Sequence, residues 1–117
     1  MSWFGSWFAD PIDEYAIAFE RQMAEIGRPV RIGEKRRSDE RQRELYAQGR
    51  TLPGPIVTWT LHSAHVSGRA FDFDFVSALD QDDDEAWLDA GEIGLGLGLR
   101  WLPLEGIPDF RHLELPA

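Results

Sequence analysis

From Phe71 to Phe75 the chain alternates strictly, Phe-Asp-Phe-Asp-Phe. Successive side chains of a strand point to opposite faces. The pattern therefore predicts a strand over 70–76, with Phe71, Phe73 and Phe75 in the core and Asp72 and Asp74 together on the other face. A different period governs the first third of the chain. Ile12, Tyr15, Phe19, Met23 and Ile26 form one stripe at helical spacing, which predicts a helix from Asp10 to Ile26. Asp10 is placed to cap it, Pro11 suits its first turn, and Gly27 and Pro29 end it. Val30–Ile32 reads as a short strand. Ser38 is the expected cap of a second helix to about Gln48, with Gly49 beyond its end. "TLPGPIVTW" reads as a loop entering an extended segment. A third helix is expected from Asp82 to about Glu92, its acidic first turn suiting the helix dipole. "GLGLGLRW" then reads as a glycine-rich exit into a strand. "RHLEL" closes the chain as another strand, with His112 and Glu114 on one face and Leu113 and Leu115 on the other.

About three helices and several short strands make an α+β fold with a small antiparallel sheet. The 117 residues suffice for one domain, 1–117, and no repeat or linker interrupts them. Residues 1–9 carry Trp3, Phe4, Trp7 and Phe8, two pairs at i,i+4 spacing, and read as an aromatic arm packed on that domain.

Charge and composition narrow the function. The formal net charge of −9 opposes nucleic-acid binding and electrostatic attachment to anionic surfaces. With no cysteine, neither a disulfide nor a thiolate metal site can form. No apolar run approaches the roughly 20 residues of a spanning helix, so stable membrane insertion is not expected. The N-terminus lacks the cationic and apolar regions of a secretory signal.

Candidate chemistry gathers on two of the predicted strands. One segment supplies His65 and Asp72, with Gly68 as the turn between them; the other supplies His112. Two imidazoles and one carboxylate, with a fourth position left for water, form a catalytic zinc pattern. Asp109, just after Pro108, falls in a turn beside the same centre. His62 lies next to His65, but its spacing aims it elsewhere, and it reads as structural. Asp74 and Glu114 share faces with the ligand candidates and read as supporting or solvated groups. The acidic run Asp80–Glu85 lacks the glycine and terminal glutamate of a calcium loop and reads as a solvated helix start.

"SAHVSGRAFD" resembles the Ser-x-His-x-x-Gly-x-Ala-x-Asp motif of the zinc D,D-carboxypeptidase and L-alanyl-D-glutamate endopeptidase family. "DFRHLEL" is similar to that family's closing Asp/Glu-x-x-His segment. "RSDERQRELYAQGRT" resembles its Arg-Ser-x-x-x-Gln-x-x-Leu-Tyr helix, and "GLGLRW" its Gly-Leu-x-Trp approach to the last strand. The matches keep family order from Val30 to Leu115.

The resemblance implies a D,D-peptidase/hedgehog-type fold and a bound Zn²⁺ held by His65, Asp72 and His112. It implies Asp109 as the catalytic carboxylate, Arg37 as the arginine that stabilises the oxyanion, and a supporting role for Ser63. Lys35 and Arg36 stand where the family has glycine and an aromatic, so Arg36 stays open as the alternative to Arg37. For Lys35 the reading is a solvated basic loop. "LPLEG" replaces a common Gly-Gly pair after Trp101. The implied substrate is the peptidoglycan stem peptide, cut at the L-Ala–D-Glu bond. The alternatives are a D,D-carboxypeptidase or D,D-endopeptidase, and a zinc-containing binding module without turnover. The minimal chain is similar to a phage or prophage endolysin, a monomer made in the cytoplasm and acting in the periplasm or wall after holin-type release.

Overall fold

The computed structural model describes residues 10–33, 35, 38–58, 60 and 63–117. The aromatic arm, Arg36, Arg37 and His62 lie outside them. Four helices and four strands follow one another along the described chain: α1 (Asp13–Glu25), β1 (Val30–Ile32), α2 (Asp39–Ala47), β2 (Ala70–Phe75), α3 (Ala78–Gln81), α4 (Asp84–Gly96), β3 (Arg100–Trp101) and β4 (His112–Glu114). A 3₁₀ turn, Leu102–Glu105, follows β3. The strands form one antiparallel sheet in the order β1-β2-β4-β3. The α+β architecture matches the one expected.

The alternating run of β2 divides the sheet's two faces as predicted. Phe71, Phe73 and Phe75 are buried, whereas Asp72 and Asp74 are half-buried on the opposite face. Phe19 of α1 lies over Phe71 and Phe73, with ring centroids 5.4 and 4.9 Å away. Trp87 of α4 lies over Phe73 and Phe75 at 5.4 and 4.8 Å. Each such side chain, removed from water, contributes on the order of 1.5–3 kcal/mol. The two long helices therefore occupy the apolar face and leave the aspartate face to the site.

Helix boundaries depart from expectation in three places. The Asp10 carboxylate does not cap α1. Instead the Asp10 amide donates to Asp13 Oδ2 at 2.8 Å, and the Asp13 amide donates to the Asp10 carbonyl at 3.0 Å. Ile26 falls beyond the last turn of α1 and is about half exposed. The single helix expected from Asp82 is instead two, α3 capped by Ser77 and α4 capped by Asp83, whose side chains accept from Leu79 and Glu85 amides at 3.2 and 3.0 Å. Ser38 caps α2 as expected, accepting from the Arg41 amide at 3.0 Å.

The acidic run is more than a solvated helix start. Arg28, in the loop after α1, reaches Asp80, Asp83 and Asp89 at 3.2, 3.1 and 3.1 Å. One guanidinium thus ties that loop to α3 and α4 and draws three like charges together.

α4 also runs past Glu92 into the glycines read as an exit. The reason is packing against the sheet. A Cβ on Gly91 would stand 2.4 Å from Trp101 Cε3, and one on Gly94 2.4 Å from Leu113 Cδ2. A glycine costs a helix about 1 kcal/mol relative to alanine. Here the missing side chains let α4 lie directly on β3 and β4. Among the described residues, no helix is long and apolar enough to cross a membrane.

Gly91→Ala should destabilise the protein by about 1–3 kcal/mol, because the rigid Trp101 ring cannot yield to the added methyl. Gly96→Ala meets nothing within 4 Å and should be neutral or stabilising by up to about 1 kcal/mol. Urea denaturation of both variants checks the contrast.

Candidate metal centre

The register of β2 and β4 sets Asp72 directly opposite His112. His65 arrives from a turn before β2. Gly68, at φ 69°, reverses the chain there; its amide donates to the His65 carbonyl at 3.2 Å, and the Arg69 amide to the Ala64 carbonyl at 2.9 Å. Ser63 Oγ accepts from the His65 amide at 3.2 Å, so this serine shapes the turn that carries the histidine.

Three atoms converge. His65 Nε2 lies 3.3 Å from Asp72 Oδ1 and 3.2 Å from His112 Nδ1, and His112 Nδ1 lies 3.4 Å from Asp72 Oδ1. Both histidines are buried, and Asp72 is half-buried.

The outer nitrogens determine what the inner ones can do. His65 Nδ1 lies 3.0 Å from the Lys35 carbonyl oxygen, which can only accept, so Nδ1 carries a proton. His112 Nε2 lies 2.8 Å from Glu114 Oε1, a carboxylate oxygen, so Nε2 carries a proton. In neutral imidazoles this leaves His65 Nε2 and His112 Nδ1 as bare lone pairs, aimed at each other and at a carboxylate. Three acceptors without a donor repel, and the arrangement calls for a positive charge at its centre. The spacing suits a small cation. Ligand atoms about 2.0–2.1 Å from a tetrahedral ion stand about 3.3–3.4 Å from one another.

Without a cation, the same demand for positive charge is met by a proton that His112 shares with Asp72. Burial pulls the His112 imidazole down, but hydrogen bonds to Asp72 and Glu114 outweigh it and push it up to about 9. Burial alone would raise the Asp72 carboxyl; hydrogen bonds to His112 and His65 hold it well below the usual carboxylate range. Glu114 is likewise raised by burial but lowered on balance, chiefly by His112.

These three side chains and Asp109 line one cleft of about 440 Å³, together with Ser63 and Arg100. Asp109 sits in the turn before β4. Trp101 pins that turn from below, its Nε1 donating to the Phe110 carbonyl at 3.0 Å and its ring 5.9 Å from that of Phe110. Burial raises the Asp109 carboxyl above its ordinary range; nearby His112 opposes the shift and nearby Asp72 adds to it. A carboxylate shifted upward takes up a proton more readily than an ordinary one, as proton exchange requires.

A curated relative matches most of this chain. The peptidoglycan L-alanyl-D-glutamate endopeptidase CwlK of Bacillus subtilis (strain 168) is 34% identical over 118 residues, spanning 89% of this chain and 71% of that protein. The chain belongs to the L-alanyl-D-glutamate endopeptidase family. No family model matches it. In structure, the family fold is seen in the L-Ala D-Glu endopeptidase ChiX of Serratia marcescens, which superposes with a TM-score of 0.59 at 19% identity over 88% of this chain and 79% of that one.

Within that family frame, the structure brings together His65, Asp72, His112, Asp109, Ser63 and Glu114. Arg36, Arg37 and His62 lie outside the described residues. Lys35 is not simply a solvated basic residue. Its Nζ pairs with Asp13 Oδ1 at 3.1 Å, and its carbonyl orients His65. Asp74, on the same face as Asp72, lies outside the centre and bonds Arg111 and Gln81. The sequence reading gave no role to two further residues, Arg100 and the motif glutamine Gln42. Arg100 lines the cleft and is bound to Glu114. Gln42, fully buried on α2, donates from Nε2 to Thr58 Oγ1 at 3.1 Å and to the Thr60 carbonyl. Its polar character at a core-facing helical position was the available signal.

Gln42 holds the segment that forms one wall of the cleft. Gln42→Leu removes that donor while keeping most of the volume. It should destabilise the protein by about 1–3 kcal/mol, the loss of two hydrogen bonds worth roughly 0.5–1.5 kcal/mol each. Equilibrium denaturation checks this.

Proposed function

We propose that this chain is a zinc metallopeptidase that hydrolyses the L-Ala–D-Glu bond of peptidoglycan stem peptides. One observation carries the reading: three converging lone-pair donors share a cleft with a carboxylate of raised pKa, in a chain of the L-alanyl-D-glutamate endopeptidase family. Two histidines, one aspartate and no cysteine suit zinc with a position left open for reaction. His65, Asp72 and His112 would hold the ion. When bound there, zinc supplies Lewis-acid stabilisation and a nucleophilic water at neutral pH.

The chain's own residues supply the rest. Asp109 accepts the proton of the attacking water at its carboxylate, then delivers it to the leaving amide nitrogen. Arg37 supplies a fixed positive charge toward the developing oxyanion. Ser63 keeps the His65 turn in shape. Val57, Thr58 and Thr60 line the cleft and would flank the substrate chain.

Mass spectrometry of purified muropeptides after incubation tests the bond. Products that end at L-Ala, with free peptides that begin at D-Glu, are expected; release of terminal D-Ala alone would make the protein a D,D-carboxypeptidase.

Two substitutions three residues apart separate ligand from proton carrier. His112→Ala should lose zinc and activity together. Asp109→Ala should fold and keep one zinc per chain, yet cleave at least about 10²-fold more slowly, as expected for a positioned general base. Zinc analysis and muropeptide cleavage on both proteins decide; near-native cleavage by Asp109→Ala would remove its role as proton carrier, whereas a wild-type chain that holds zinc and cleaves no muropeptide would be a binding module instead. Arg37→Ala should lower turnover about 10²–10³-fold with zinc content unchanged. If Arg36→Ala is the damaging change in the same assay, the oxyanion role passes to Arg36.

A further inference from the structure

His112 is the best-supported side chain of the centre, and its support runs outward through three more residues. His112 Nε2 donates to Glu114 Oε1 at 2.8 Å. The other oxygen, Glu114 Oε2, accepts from Arg100 Nη1 at 2.9 Å. Arg100 in turn donates from Nε to Glu105 Oε2 at 2.9 Å and from Nη2 to Glu105 Oε1. The fork–fork pair with Glu105 fixes the guanidinium plane. Strand register supports the same alignment, because Arg100 and Glu114 are direct partners across β3 and β4.

The relay depends on a local feature of this sequence. Glu105 belongs to Leu102–Glu105, the 3₁₀ turn of the "LPLEG" stretch that replaces the Gly-Gly pair noted above. Gly106, at φ 83°, ends that turn. Glu105 therefore reaches back to the base of β3 and clamps the arginine there.

We propose that Arg100 is a positioning residue for the metal centre: clamped by Glu105, it holds the Glu114 carboxylate so that His112 keeps its proton on Nε2 and presents Nδ1 to the ion. The inference rests on the zinc reading above. Arg100 acts through Glu114 and does not touch the ion. A carboxylate that fixes a ligating imidazole is itself mobile unless its second oxygen is held. Arg100 supplies that hold, and its charge offsets the two carboxylates it joins.

The test is zinc affinity, measured by competition with a chromophoric chelator on the full chain. Glu114→Ala should weaken binding about 10–100-fold, and Glu114→Gln, which keeps an acceptor, should recover part of that loss. Arg100→Met should weaken binding about 10-fold. The double variant Arg100→Met with Glu114→Ala should bind no more weakly than Glu114→Ala alone, because one residue works through the other. Arg100→Lys, which keeps the charge without the fork, should fall between wild type and Arg100→Met and serves if the methionine variant does not fold. In the zinc-loaded protein, the His112 Nε2 proton should give a slowly exchanging NMR resonance that Arg100→Met broadens. Unchanged affinity in the Arg100 variants, or losses that add in the double variant, would overturn the relay while wild type still holds zinc. A wild-type chain that holds no zinc would overturn the relay and the zinc reading together.

Discussion

Three lone-pair acceptors held about one hydrogen-bond length apart are a costly arrangement, and most of this structure serves to impose it. His65 Nε2, Asp72 Oδ1 and His112 Nδ1 gain nothing from facing one another without a positive charge between them. The outer partners enforce the conflict. The Lys35 carbonyl and the Glu114 carboxylate each hold one imidazole proton, so the inner nitrogens are left to take a cation or a further proton. Once a cation binds there, the same repulsion becomes ligation, and binding energy accrues to the folded state.

That imposition needs a rigid floor, which the sheet and its apolar face provide. Asp72 and His112 are paired across β2 and β4, so their separation follows from strand geometry. A slip of one residue would send both to the phenylalanine side. Phe19 and Trp87 hold the register by packing over Phe71, Phe73 and Phe75. Gly91 and Gly94 let α4 close on Trp101 and Leu113. Trp101 then extends a hydrogen bond to Phe110 and steadies the turn that carries Asp109. The packing of one helix is thus linked to the placement of the proton-exchanging acid.

The negative charge of the chain is not spread evenly in its effects. Asp80, Asp83 and Asp89 surround Arg28 and join loop to helices. Glu105 and Glu114 share Arg100. Among the described residues, Asp72 and Asp109 also line the cleft, in different environments: the first is drawn down by two histidines, the second pushed up by burial. Neighbouring carboxylates with opposed shifts can take different roles in one reaction.

Strict alternation in β2 was enough to assign the faces of the sheet, because the period of a strand admits one answer. The spacing of His65, Gly68 and Asp72, with Asp109 and His112 near the end, pointed to a shared centre before any coordinates, and the serine cap of α2 was equally plain. Those features are local or carried by a dense motif. What the chain pattern could not decide was where distant elements meet. The glycines of α4 read as a break because propensity counts their cost and cannot see Trp101 and Leu113 pressed against them. Asp10 read as a cap because nothing nearby revealed that Asp13 reaches back to its amide. Lys35 and Arg100 gave no sign of their part in the centre. One acts through a backbone carbonyl and the other through a cross-strand partner fourteen residues away, and only tertiary packing brings those atoms within reach.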